Sequence, residues 1–154
     1  MPLFPEYSSS QNLSSILLSV KPIFANLIVE GSKLVELRRK VPARAVGTIA
    51  IYSSSPTQAI VGLADVKETV EASPRKLWEI SKIYGGGLTR IEMLTYFESK
   101  KTGFAIILQN VRVFSVPVKP AKIFIGFTAP QSFRYITPKE LKKLEQLLVA
   151  EVKK

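Results

Sequence analysis

At 154 residues, 46% of them hydrophobic, the chain has the length and composition of one domain built on one sizeable core. It contains neither cysteine nor histidine, which excludes thiolate nucleophiles, Ser-His-Asp triads, disulfide frameworks and zinc sites made from those ligands. Lys+Arg outnumber Asp+Glu by 22 to 12, and the net charge of +10 favours an anionic partner, nucleic acid ahead of a membrane surface, although lysine-rich composition also serves solubility.

Residues 1–12 hold two prolines and the run Ser8-Ser9-Ser10-Gln11-Asn12, which reads as a poorly ordered lead-in to one domain over 13–154. The start lacks the basic region and apolar core of a signal peptide, and no apolar run approaches the roughly 18 residues of a bilayer span. A cytoplasmic protein with no membrane segment is expected. Ser14 to Val20 reads as a buried strand. Lys21-Pro22 then opens a helix whose Ile23, Phe24, Leu27 and Ile28 share a face, and Gly31 ends it. Leu34 to Arg39 resumes strand character, with Leu34, Glu36 and Arg38 on one face and Val35, Leu37 and Arg39 on the other. Val46–Ser53 and Gln58–Val70 are two further strands, joined by the turn-rich Ser54-Ser55-Pro56-Thr57.

A helical insertion over about 73–98 follows. Ser73-Pro74 caps its first helix, which carries Leu77, Trp78 and Ile80; Thr89-Arg90-Ile91-Glu92 is a capping box for the second, with Met93, Leu94 and Phe97 as its apolar side. Gly85-Gly86-Gly87 joins the two. Phe104–Gln109 and Val111–Val116 return to strand, as one long strand bent at Asn110 or as two. Thr137-Pro138-Lys139-Glu140 opens a C-terminal helix over about 138–153, striped by Leu141, Leu144, Leu147, Leu148 and Val152, with Lys153 and Lys154 favourably placed at its end. The expected fold is α+β: a small, mostly antiparallel β-barrel with peripheral helices.

The densest polar cluster is Gly31-Ser32-Lys33-Leu34-Val35-Glu36-Leu37-Arg38-Arg39-Lys40. On a solvent face it would be an ordinary cross-strand ion-pair surface, worth a few tenths of a kcal/mol. Lining a cleft, Lys33 and Arg38 would donate to an anion or a base edge, with Glu36 orienting them or accepting from a base. A second cluster, Ala129-Pro130-Gln131-Ser132-Phe133-Arg134-Tyr135, gathers an amide, a hydroxyl, a guanidinium and two aromatics into a loop. That composition suits stacking on a base and pairing with phosphate, or equally an aromatic plug for the barrel bottom. Tyr52-Ser53-Ser54-Ser55-Pro56, at a strand end, offers hydroxyls and backbone N–H groups that would cradle an anion or simply make a turn.

Taken together, Leu17-Leu18-Ser19-Val20-Lys21-Pro22, Gly31 to Arg39, Ile51 to Pro56, Ala59-Ile60-Val61-Gly62 and Pro130 to Tyr135 resemble an ASCH domain, within the PUA-like superfamily. The most specific part is the Gly-x-Lys-x-x-Glu-x-Arg element. The resemblance implies a PUA-like barrel whose cleft binds nucleic acid, RNA ahead of DNA, in RNA metabolism or gene regulation. The site residues it implies are Lys21, Lys33, Glu36, Arg38, Arg39, Tyr52, Ser53, Gln131, Ser132, Phe133 and Arg134, with no cofactor and no metal. The alternative is a hydrolase on RNA or a modified nucleoside, amidohydrolase- or ribonuclease-like, using Lys33 and Glu36. One enzymatic branch of the family, which deacetylates acetylcytidine, rests on a Lys, a Thr three residues later and a Glu further along. Here Lys33 fits the lysine, but Glu36 stands where the threonine would be and Gly86, or a neighbour, where the glutamate would be. Glu36 offers no hydroxyl, which argues against that chemistry, and Glu92 is the nearest substitute carboxylate in the sequence. The oligomeric state is not legible.

Overall fold

The structure is a computed structural model that describes residues 13–153, with side chains to residue 150. The lead-in and Lys154 lie outside the described residues, as do the side chains of Val152 and Lys153. The elements run β1 (Ser14–Val20), α1 (Pro22–Glu30), β2 (Val35–Arg38), β3 (Val46–Ser53), β4 (Ala59–Ala72), α2 (Pro74–Tyr84), α3 (Arg90–Tyr96), β5 (Gly103–Val118), a 3-10 turn (Pro120–Lys122), β6 (Phe133–Ile136) and α4 (Pro138–Lys153). Among the described residues no helix is long and apolar enough to cross a membrane.

The strands make one six-stranded mixed sheet in the order β2-β5-β4-β3-β1-β6. β1 runs parallel to β3, and every other pairing is antiparallel. A parallel pair needs a crossover, and the segment holding α1 and β2 supplies it. The expected closed barrel is corrected by this order: β2 and β6 are edges, and no backbone ladder joins them. The sheet curls nonetheless. Three register shifts between β4 and β5 coil those long strands, as bulges do. At Gly62 a Cβ would stand 2.6 Å from the Arg112 carbonyl oxygen, so the two strands approach this closely only because the residue is glycine.

Three apolar clusters fill the spaces this curl creates. The first joins Ile16, Leu18, Ile49, Ile51 and Ile106 to Ala25 and Ile28 of α1. The second joins Leu17, Ala50, Leu63, Phe114 and Phe124 to Leu144 of α4. β1 faces both, which explains its uninterrupted Ile16-Leu17-Leu18 run in place of alternation. The third sets Val35, Leu37 and Ile107 against Leu77 and Ile80 of α2, Met93 of α3 and Phe97 just beyond it.

Local signals position most elements. Ser73 caps α2, Thr89 and Glu92 form a reciprocal box at α3, and Thr137 and Glu140 do the same before α4. Gly31 ends α1 in the left-handed conformation at φ 90°. Asn110, at φ 52°, bends β5 inside one continuous strand. Three expectations shift. The buried face of α1 is Ala25 and Ile28, and Ile23 is 66% exposed. Leu94 of α3 points outward while Met93 and Phe97 are buried. Phe133–Ile136, expected within a loop, is an edge strand paired with Ser15–Leu18.

Leu144 is fully buried where α4 meets the second cluster, in the same cluster as Phe124 and Ile136, with Leu141 and Leu148 packed at its margin. Leu144→Ala should therefore cost about 2–5 kcal/mol of unfolding free energy in urea. An exposed neighbour such as Lys143→Ala should change it by no more than about 0.5 kcal/mol.

Candidate functional site

β2 is short, and its central residues decide what it does. Val35 and Leu37 enter the third cluster, which turns Glu36 toward the other face. Glu36 is buried there at 6% exposure, and Lys33, at the strand entrance, is buried at 3%. The Lys33 ammonium lies 3.3 Å from Glu36 Oε1, and Arg38 Nη2 lies 2.8 Å from Glu36 Oε2. Arg38 Nε donates to the same oxygen at 2.9 Å. Two cations thus share one buried carboxylate, Lys33 buried with it and Arg38 partly exposed.

Each cation is also tied to another part of the fold. Lys33 Nζ donates to the Gly86 carbonyl at 2.5 Å and sits 5.3 Å from the centroid of the Phe24 ring. Arg38 Nη2 donates to the Ser19 carbonyl at 2.7 Å, and Nη1 reaches Ser132 Oγ at 3.4 Å. Arg38 therefore links the first strand of the sheet order to the fifth and to the residue preceding the sixth. Where backbone pairing would close a barrel, a guanidinium spans the gap.

Above this triad opens a cleft of about 870 Å³, within the range of small-ligand sites. Lys33, Glu36, Leu37 and Arg38 contribute to its lining, as do Ser19, Val20 and Lys21 from the end of β1. Tyr52 comes from the end of β3, Ser54, Ser55 and Gln58 from the β3–β4 turn, and Ala129, Pro130 and Gln131 from the loop before β6. That loop is fastened by Ser19 Oγ donating to the Pro130 carbonyl at 2.7 Å and by Ser19 N donating to the Ser132 carbonyl at 2.8 Å. Phe24, Leu88 and the α3 residues Ile91, Glu92, Thr95 and Tyr96 make the remaining wall.

Burial holds the Lys33 ammonium below its ordinary value of 10.5; Glu36 opposes that push and the Arg38 charge adds to it. Burial likewise raises the Tyr52 phenol, whose ring is tilted against Phe127 with centroids 5.5 Å apart. Among the described residues no group of three or more acidic side chains is gathered that would hold a metal ion.

Of the residues singled out from the sequence, Lys21, Lys33, Glu36, Arg38, Tyr52 and Gln131 meet in this cleft. Ser132 touches it only through Arg38. Arg39 is exposed beyond the end of β2 and lies off the lining. Ser53 is buried behind the cleft, its hydroxyl without a partner. Phe133 packs on the first cluster, edge-on to Tyr135 with centroids 5.7 Å apart. Arg134 projects to the opposite face of β6 and lies over Phe124 at 4.7 Å. The alternation of a strand sends Phe133 and Arg134 to opposite faces of β6, where a loop would have let both converge with Gln131. The α3 wall was missed by sequence reasoning, and its one signal was an apolar side wider than the helix's own anchoring needs.

Gly86, which with its neighbours was expected near the glutamate position of the deacetylase branch, meets Lys33 through its backbone carbonyl. Glu92 lines the cleft but is exposed, its carboxylate accepting from the Thr89 N–H.

Three outcomes follow from this geometry. Glu36→Ala leaves two buried cations without their anion and should cost about 3–5 kcal/mol in urea unfolding. In Gly86→Ala the new Cβ would overlap Ser81 Oγ, so the acceptor of Lys33 must shift and stability should fall by about 1–3 kcal/mol. For Lys33 itself, the native pKa lies below the unfolded value of 10.5. Between those two values the unfolded chain binds a proton that the native state lacks, so stability gains with rising pH in that window. Unfolding measured at stepped pH should show wild type gaining on Lys33→Met as pH climbs toward 10.5; parallel curves would contradict the lowered value.

A family model described as the ASCH domain matches residues 18–147. An ASCH domain-containing ribonuclease of Zymomonas mobilis is 30% identical over 139 residues, covering 84% of this chain and 89% of the relative. The crystal structure of ASCH from Zymomonas mobilis has a TM-score of 0.79 at 28% identity, covering 87% of this chain and 95% of that one. At 16% identity and a TM-score of 0.56, the N-terminal domain of Staphylothermus marinus McrB shares the fold, covering 87% of this chain and 94% of its own.

Proposed function

We propose that this chain, which belongs to the ASCH domain family, binds RNA in the cleft above the Lys33–Glu36–Arg38 triad. The observation that carries the reading is the burial of that triad at the floor of an open cleft. Stability alone is a poor reason to desolvate three charges, since apolar residues of similar volume commonly serve as well or better. A fixed, water-poor array of donors is what recognition of a polar ligand uses. The floor carries net positive charge, and exposed Lys21 adds to it at the rim. Gln131, Ser54 and Ser55 supply neutral donors and acceptors on the same side. The whole chain at +10 would draw an anionic polymer toward the site from a distance. A relative named as a ribonuclease points to RNA as that polymer.

A second reading, RNA cleavage, is favoured by that relative and by the lowered Lys33 pKa, which raises the share of neutral amine near neutrality. Lys33 would then accept a proton from the attacking 2′-hydroxyl as its oxygen bonds phosphorus and the P–O5′ bond breaks, the leaving oxygen taking a proton from solvent, with Glu36 holding Lys33 in position. Arg38 directs most of its donors to Glu36, Ser19 and Ser132, so its main part in either reading is to position the floor.

Fluorescence anisotropy of a labelled RNA oligomer should show affinity falling steeply with salt. Lys21→Ala should weaken binding and lower the salt slope by about one; an unchanged slope would place the phosphates elsewhere. Gel analysis of the same RNA after long incubation separates the two readings. Fragments that wild type makes and Lys33→Met does not would establish cleavage, and intact RNA with saturable binding would leave recognition alone.

A further inference from the structure

The two walls of the cleft differ in kind. The strand side offers Lys21, Ser54, Gln58 and Gln131, and the helix side offers Phe24, Leu88, Ile91 and Tyr96. The triad and the rim account for the strand side, and nothing in the RNA reading yet uses the helix side. Ile91 is 78% exposed and Tyr96 37%, although both border a concavity where burial would have been available. They are held out by their own helix. Met93 and Phe97 fasten α3 to the third cluster, and the Thr89–Glu92 box fixes where it starts. The Tyr96 ring stands edge-on to Phe97, with centroids 4.8 Å apart at 72°, so its orientation is set before any ligand arrives.

We infer that this lip is the base-binding side of the cleft, with one nucleobase lying against Tyr96 and Ile91 while the sugar-phosphate chain follows the strand side. The inference rests on the RNA reading and assigns a direction to the ligand within it. Charge sets that direction. No cation from α3 lines the cleft, and Glu92, which does, repels phosphate. Lys21 stands away from α3, at the N-cap of α1. A flat, uncharged base face is the part of a nucleotide that an apolar wall beside a carboxylate accepts. Such stacking is tolerant of sequence because every base has a π-face.

The test pairs protein variants with a modified RNA. Wild type, Tyr96→Ala, Tyr96→Phe and Ile91→Ala are titrated with a labelled oligoadenylate and with the same oligomer carrying abasic sites, across a range of salt. Thermal unfolding of each variant confirms that it is folded. Tyr96→Ala is expected to bind the intact oligomer about tenfold more weakly, at an unchanged salt slope. Tyr96→Phe should retain affinity, Ile91→Ala should lose part of it, and the abasic oligomer should bind wild type and Tyr96→Ala equally. Equal weakening on intact and abasic RNA, or no weakening on either, overturns the base assignment. Failure of wild type to bind either oligomer would instead remove the RNA reading itself, so the two failures are distinguishable.

Discussion

Two cations sharing one buried carboxylate set the terms for the rest of this molecule. Lys33, Glu36 and Arg38 come from one short segment, yet their other bonds go to Gly86 in the helical excursion, Ser19 on β1 and Ser132 before β6. Removing three charges from water is costly, and the arrangement persists because nearly every donor finds an acceptor. The consequence is mechanical as well as electrostatic. The same atoms that make the cleft floor polar hold the curled sheet in its curl.

That dual role explains why the cleft lies where it does. An open sheet of six strands whose edges approach without pairing must leave a gap along the approach. β2 is only four residues long, so beyond Arg38 the gap is unfilled by backbone. Side chains from β1, from the β3–β4 turn and from the loop before β6 border it. α3, carried across on its own apolar anchors, walls the far side. The cleft is the space left by incomplete closure, and its chemistry is that of whichever side chains reach across.

Local chemistry made the elements legible from sequence. Caps at Ser73, Thr89 and Thr137, the glycine stop at Gly31 and the bend at Asn110 are written in a few adjacent residues, and all appear in the structure. The pairing of Lys33, Glu36 and Arg38 was legible too, because strand alternation places the last two together. What was not legible depended on distant partners. Arg134 turned away because Phe133 and Tyr135 are claimed by the first cluster, and that claim comes from β1 and β3. Whether the barrel closes depends on whether β2 and β6 pair, and that is a property of distant strands rather than of any one stretch of sequence. Ile91 and Tyr96 had no assigned part in the sequence, and only the curl of the sheet puts a cleft beside them.

An incompletely closed sheet also carries a hazard that a barrel avoids. Unpaired edges present rows of free N–H and C=O groups that can template pairing with another chain. Here β2 and β6 are each four residues long, and each carries charge on the strand, Glu36 and Arg38 on one and Arg134 on the other. Short, charged strands make poor templates for self-association. The residues that shape the cleft thus belong to edges too short and too charged to serve as ready templates.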